Sequence, residues 1–483
     1  MKKILFLMAG AILAVVLNSC TDDGNENSLV INNGNSEVTI NRLGGIVQVP
    51  IAIDGEWTAT ISDNSDKDDN IWSDLGADKG KGAGNLNVYV DYFDPSLQQH
   101  ERKATISVTS GEVSKTITLR QYIGIQDGES APNADTESSD VWFNKGLGSG
   151  YKIDLAAYAG CIINMQGVKE AIQQTEYATM FRQDARPGMT VDAIMQDTMQ
   201  SSLDSLHVHC MINIKFAKFK LSLDVDYHNN ATIIENACSY TGSQDLEYLH
   251  ASLSYDDIVA ILEDEWDEDT QTFPRDGMAK KLVSIGFLNR WKSVMKNQND
   301  SADFTNAVKN IVSNYGPVFV TGSTLGGSIF TAIEYDSLYM EEEFGVHGKV
   351  TANLALSAIQ ITGDLTAGYG TKGSRLWENS HYYCSITGGN QSSYNAMLEQ
   401  LNSNRPDREK LKVAAQQWMQ SIRSSDDQDS DNTDVISIEY TGIWNLFPFE
   451  ISDRIKQIVL DYYKDKRTCM DLDDMGISPT NRK

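Results

Sequence analysis

The run YGPVFVTGSTLGGSIF, residues 315–330, constrains the fold more than any other stretch of this chain. Val318, Phe319, Val320, Ile329 and Phe330 suit a pleated, half-buried strand, yet the middle carries Gly322 and then the adjacent pair Gly326 and Gly327, which weaken a strand interior. A strand that keeps glycines at its centre marks a bend, a bulge or a close approach. Two other runs share the strand habit. In residues 207–225, Ile212, Ile214 and Phe216 alternate with Met211, Asn213 and Lys215; the phase flips near Ala217, and Phe219, Leu221, Leu223 and Val225 then alternate with Lys218, Lys220, Ser222 and Asp224. In residues 348–370, Val350, Ala352, Leu354, Leu356 and Ala358 share one face. Such alternation fits an amphipathic strand or helix packed on a core. It also fits a strand of a transmembrane barrel, where about ten residues cross with one face on lipid and the other on a wet lumen.

At 483 residues the chain exceeds the size at which one core stops growing, so two or more domains are expected. Its 67 carboxylates against 40 Lys and Arg give a formal charge of −27, which repels phosphate backbones and sets nucleic acid aside as a partner. Residues 1–19 read as an export signal, with Lys2 and Lys3 ahead of an apolar stretch from Ile4 to Leu17 too short to span a bilayer comfortably. The end, Leu17-Asn18-Ser19-Cys20, resembles a bacterial lipobox, and Thr21-Asp22-Asp23 resembles the acidic surface-export tag of Bacteroidetes lipoproteins. The resemblance implies lipidation at Cys20, a tether over residues 20–27, and a protein held on the outer membrane and surface exposed, or released from it. Cys161, Cys210, Cys238, Cys384 and Cys469 remain; an odd number leaves at least one unpaired, and both buried thiols and one or two bridges stay open.

Residues 28–123 carry short alternating runs, GGIVQVPIAI, EWTATIS, NLNVYVDY, KATISVTS and KTITLRQY, separated by Gly, Asp, Asn and Ser clusters, the pattern of a small antiparallel sandwich. Through Trp57, Trp72, the Arg102-x-Ala104-x-Ile106-x-Val108 strand and the closing Ile117-x-Leu119-x-Gln121, this segment resembles the BACON domain, an immunoglobulin-like module. The resemblance makes carbohydrate a candidate partner, with Trp57 or Trp72 stacking on a sugar ring; the other role for such tryptophans is to fill the gap between two sheets. Residues 124–140 are acidic, polar and turn-rich and read as a linker, and a second domain occupies 141–483.

Tyr315-Gly316-x-x-Phe319, arriving at the end of the helical-looking DFTNAVKNIVSNYG and followed by Leu325-Gly326-Gly327, resembles the signature of the membrane-attack-complex/perforin (MACPF) family. The likeness extends over residues 141–460 and includes GLGSGYKID, the two alternating runs, YYCSITGGN with Gly388 and Gly389, and the stretch ISIEYTGIWNLFPFEISDRIKQIVLDYY. Pro317 and Val318 stand where the family has Thr-His, which removes a hydrogen-bonding pair. The resemblance implies an α+β chain: the sandwich, then a bent four-stranded antiparallel sheet, as in MACPF proteins and cholesterol-dependent cytolysins, flanked by helical clusters that unfurl into amphipathic hairpins on oligomerisation. Gly326 and Gly327 are then the expected hinge, and valine at both is expected to leave a soluble monomer unable to form pores. The inserting segments are expected at about 190–235 and 338–380, helical or irregular beforehand, with Ile194, Met195, Met199 and Leu203 at helical spacing.

Other chemistry is thin. His207 and His209 beside Cys210 lack a third ligand, and Asp427, Asp429 and Asp431 have calcium-loop spacing but Asn432 in place of the glycine and Ile438 in place of the bidentate Glu. No HExxH, GxSxG or P-loop pattern is present, so neither catalysis nor a cofactor nor a metal is expected. The function implied is a pore-forming antimicrobial toxin that meets a target membrane and a receptor and self-associates into a ring. A non-lytic adhesion or glycan-binding lipoprotein is the alternative. Polarity-sensitive probes attached at successive positions from Val350 to Ala358 are expected to report lipid at every second residue on susceptible membranes; uniformly aqueous readings exclude entry by this run.

Overall fold

Short runs with one apolar face cannot bury it alone, and between Leu29 and Tyr122 they do so by closing two sheets over each other. The structure, a computed structural model, describes residues 29–42, 44–63, 71–93, 101–122, 146–196, 237–336, 380–401, 408–423, 432–466 and 468. Strands β1 (Val30–Ile31), β3 (Gly45–Ala52), β7 (Gly84–Val90) and β5 (Ser73–Leu75) form one sheet in the order β1-β3-β7-β5. Strands β2 (Glu37–Asn41), β4 (Glu56–Asp63), β6 (Lys79–Lys81), β8 (Glu101–Ser110) and β9 (Val113–Tyr122) form the other, in the order β2-β9-β8-β4-β6. Val49, Leu86 and Val88 from the first sheet and Ile106, Val108 and Leu119 from the second share one core. Trp57 and Trp72 belong to it at 7% exposure each, so their rings fill the sandwich and present no face to a sugar. Trp57 Nε1 donates to the Gly82 carbonyl at 3.3 Å, and the Arg102 guanidinium lies 4.4 Å over the Trp72 ring.

The rest of the described chain mixes long antiparallel strands with helices. In order come β10 (Ser149–Lys152), β11 (Ala157–Cys161), α1 (Met165–Ala171), β12 (Phe181–Gln196), β13 (Ala237–Leu253), α2 (Tyr255–Glu265), α3 (Met278–Leu282), α4 (Ile285–Lys296) and α5 (Ser301–Tyr315). Then follow β14 (Val318–Asp336), β15 (Ser380–Thr387), α6 (Gln391–Leu401), α7 (Arg408–Arg423), β16 (Asp434–Gly442) and α8 (Phe449–Tyr463). The sheet runs β11-β10-β14-β13-β12, with β15 and β16 also paired to β14. Helix α5 starts where the Asp300 carboxylate accepts from the Ala302 and Asp303 amides. It buries Phe304, Ala307, Val308, Ile311, Val312 and Tyr315 at helical spacing and stops at Gly316, whose φ of 79° is left-handed. Its apolar side joins α2, α4 and α8 over Val318, Phe319, Val320 and Leu325 of β14. Within that layer the rings of Trp266, Phe273, Trp291, Phe447, Phe287 and Tyr315 meet in an unbroken series, with successive centroids 5.3 to 6.4 Å apart.

One expectation is corrected. Residues 189–196, including Ile194 and Met195, are not helical but complete β12, paired residue for residue with β13 (Ile194 to Thr241, Met195 to Tyr240). A ladder of backbone hydrogen bonds to a neighbouring strand outweighs a weak helical spacing. Met199 and Leu203 lie outside the described residues. Because Trp57 and Trp72 are core residues, replacing either by alanine is expected to cost about 3–5 kcal/mol of stability with no sugar present, read by equilibrium denaturation.

Candidate functional site

Strand β14 changes partner at its glycines. Along one edge it pairs with β10 (Val318, Phe319) and then β13 (Gly322 to Asp336). Along the other it pairs with β16 from Val318 to Gly326 and with β15 from Ser328 to Tyr335. The neighbouring strands break register at the same level. The β12–β13 ladder shifts between Ala185 and Gly188, around Pro187; β13–β14 shifts between Glu247 and Leu249; β14–β16 shifts between Thr324 and Leu325. Bulges bend a strand and raise its twist, so a line of them is a transverse seam across the sheet, with Gly326 and Gly327 at its middle.

What these two glycines require is room, since neither has left-handed backbone. A Cβ on Gly326 would overlap the Leu246 carbonyl oxygen of β13. A Cβ on Gly327 would overlap Ile422 Cδ1 and come within 2.6 Å of Trp418 Cζ2, both on α7. Trp418 Nε1 donates to the Gly388 carbonyl at 2.8 Å, and its ring fills the space beside Gly389. Leu246, Ile329 and Ile386 of the sheet meet Met397, Ala414, Ala415, Trp418 and Ile422 of α6 and α7 in a small core of their own over the seam. Just below it, buried His250 lies with Nδ1 3.0 Å from Thr324 Oγ1 and Nε2 3.5 Å from Glu439 Oε1. Burial pushes the imidazole pKa down while Glu439 pulls it up.

The strands above the seam end together. Gln196 lies beside Ser239, Ala237 beside Asp336, and Tyr335 beside Ser380. Residues 197–236 therefore connect two adjacent antiparallel strands, β12 and β13, and residues 337–379 connect β14 and β15, at the same end of the sheet. The expected inserting positions Ile212, Ile214, Phe216, Phe219, Leu221, Leu223, Val350, Ala352, Leu354 and Leu356 fall in these connections, outside the described residues. Cys20, the linker, His207, His209, Cys210, Asp427, Asp429 and Asp431 also lie outside the described residues. Cys161 Sγ donates to the Ile163 carbonyl at 2.9 Å.

The signature residues sit at the foot of β14. Tyr315 is buried with its ring edge-on to Phe287 at 5.3 Å and under the Arg290 guanidinium at 5.7 Å. Burial pushes its hydroxyl pKa far up, and Arg290 opposes the shift. A Cβ on Gly316 would overlap the Tyr151 carbonyl of β10, and Phe319 is fully buried against the helical layer. Pro317 keeps a role without its amide, because its carbonyl accepts from Ile443 N at 2.9 Å. Asp91 of the sandwich reaches this same point, and burial pushes its carboxyl pKa up to about 6, opposed by the Gly286 and Ile285 amides that donate to it and by the charges of Arg102 and Arg290. Nothing in the sequence pattern marked Asp91, Arg290 or Trp418. Among the described residues no three His, Cys, Asp or Glu side chains gather as a metal site, and no helix is long and apolar enough to cross a membrane.

No protein-family model matches the chain, and no curated protein does. Among solved structures it is similar to GNIP1Aa from Chromobacterium piscinae, at 11% identity and a TM-score of 0.43 over 68% of this chain and 57% of that one. A MAC/Perforin-domain protein from Bacteroides thetaiotaomicron aligns at 10% identity and 0.40, over 68% of this chain and 61% of that one. Astrotactin-2, a perforin-like vertebrate membrane protein, aligns at 11% identity and 0.31, over 66% and 98%. The chain thus spans about three fifths of the length of the first two.

Valine at both glycines is expected to disturb the folded monomer itself, which corrects the expectation of an intact monomer. Gly327→Ala is expected to cost about 1–3 kcal/mol, and less when Ile422 is shortened to alanine in the same chain, because the nearest obstacle is the end of that side chain, ahead of Trp418 Cζ2 and the Thr387 carbonyl. Gly326→Ala meets a strand carbonyl and is expected to show no such relief. Equilibrium denaturation of Gly327→Ala, Gly326→Ala, Ile422→Ala and the two combined variants completes both cycles.

Proposed function

We propose that this protein is a MACPF-like pore former, displayed on or released from a cell surface, that self-associates into a ring on a target membrane and acts as an antimicrobial toxin. One observation carries the reading: both long connections, 197–236 and 337–379, leave and rejoin the four-stranded β12-β13-β14-β15 part of the seven-stranded sheet at one end. If the strands straighten at the seam and run on through these connections, each pair becomes one long antiparallel hairpin, and period-two alternation gives each hairpin a lipid face and a wet face. One copy leaves β12 and β15 as open edges, whose backbone groups would stay unpaired in hydrocarbon; a closed ring pairs them. In this reading α6 and α7 must lift from the seam before it straightens, since Trp418 and Ile422 occupy the space beside Gly327. The reading assigns no catalytic step, metal or cofactor to the chain, and assigns membrane attachment to Cys20.

The test is release of an entrapped dye from susceptible cells or vesicles of their lipids, together with electron microscopy of the treated membranes. Release with ring-shaped oligomers is expected, and both are expected to vanish when α7 is cross-linked to β15. Binding without release or rings points instead to the non-lytic adhesion protein.

A further inference from the structure

The sandwich is not suspended beside the second domain; it is pinned to it by three of its own carboxylates. Asp91 follows β7, and its Oδ1 and Oδ2 accept from the Ile285 and Gly286 amides at 2.7 and 2.9 Å, while Ser284 Oγ accepts from Phe287 N at 3.3 Å. Two of the first free donors of α4 are thus satisfied by a residue almost two hundred positions earlier, at the end of the helix where a negative charge is favoured. Asp91 is itself held on the sandwich side. Its carbonyl accepts from Arg102 at 2.7 Å and from Gln121 Nε2 at 2.9 Å, and its amide donates to the Trp72 carbonyl at 2.8 Å. To one side, the nearly buried Lys280 of α3 meets Asp74 at 2.6 Å, and Arg275 pairs with Asp78. Each bridge has its acid on the sandwich and its base on the second domain. That gives the docking one polarity and one register.

The contact continues inward. Arg290, one turn along α4, donates to the Gly286 carbonyl at 2.9 Å and to Asn310 Oδ1 of α5 at 2.8 Å. A Cβ added to Gly286 would lie 3.2 Å from the Tyr315 hydroxyl and 3.5 Å from Asp91 Oδ2, so the carboxylate, the start of α4 and the end of α5 converge within one side chain's breadth. Tyr315 is followed by Gly316 and the first residues of β14, where Phe319 pairs with Gly150 and Val318 with Tyr151.

We propose that the sandwich is a latched brace: by capping α4, Asp91 stiffens the α4–α5–β14 junction at Tyr315, and undocking of the sandwich loosens the foot of the central strand. The brace stands on this geometry alone and holds whether or not the protein makes pores. It gives the first domain a conformational role.

Hydrogen exchange of the full chain, read at single amides, tests it. Removing a charge-assisted hydrogen bond costs about 1.5–3 kcal/mol, so Asp91→Ala is expected to speed local exchange at Ile285 and Gly286 by about tenfold to a hundredfold. The decisive amides are those of Val318, Phe319 and Val320, which are expected to exchange at least several-fold faster. Acceleration at Ile285 and Gly286 alone reduces Asp91 to a helix cap and overturns the brace, as does no change at either place. Should Asp91→Ala fail to fold, Asp74→Lys and Lys280→Asp are each expected to speed exchange at Val318–Val320 and, combined, to restore it. Single variants without effect there, or a combined variant that does not recover, overturn the proposal equally.

Discussion

A single strand carries the backbone hydrogen bonds of four others, and the rest of the second domain is arranged around that fact. β14 is bonded along both edges for most of its length, to β10 and β13 on one side and to β16 and β15 on the other. A strand bonded on both edges has no freedom to slip, so register is fixed from Val318 to Tyr335. Where the partner on one edge changes, both neighbours crowd the same few residues, and a side chain there has nowhere to go. Gly326 and Gly327 answer that crowding. The strand stays continuous because these two positions occupy almost no volume.

This gives the glycines a more specific meaning than flexibility. Two packed layers are divided by the seam: a large core of α2, α4, α5 and α8 under the lower half of β14, and a small one of α6 and α7 over the seam. The large core is tied by its ring series and by the Trp291 Nε1 bond to the Leu446 carbonyl at 2.9 Å. Among the described residues the small core contains eight buried ones, and the side chains of Trp418 and Ile422 stand directly on Gly327. Among the described residues the sheet is therefore unequal about its seam, with the larger buried layer on one side and the smaller on the other.

How much of this the sequence disclosed depended on whether a feature lay in one run of residues. The sandwich runs were legible because period-two alternation bounded by Gly, Asp and Asn is local, and KATISVTS and KTITLRQY became β8 and β9. Helix α5 was legible from its buried stripe and its terminal Gly316. The GG pair announced an irregularity in β14, but not that β15 and β16 exchange places there, because partner choice is a property of chain ends far apart in sequence. The helical spacing of Ile194 and Met195 misled for the same reason: the neighbour that decides their conformation, β13, arrives only at Ala237. Asp91 looked like one more acidic residue in a chain with 67 carboxylates, and only the approach of α4 gives it a function.

The tight fit of Trp418 and Ile422 against Gly327 also restricts how such a chain drifts. A lineage that enlarges residue 327 must shrink its neighbours on α7 in the same step, and one that enlarges residue 389 meets Trp418 as well. Change at this place is confined to matched pairs, and inheritance there runs by couples rather than by single letters.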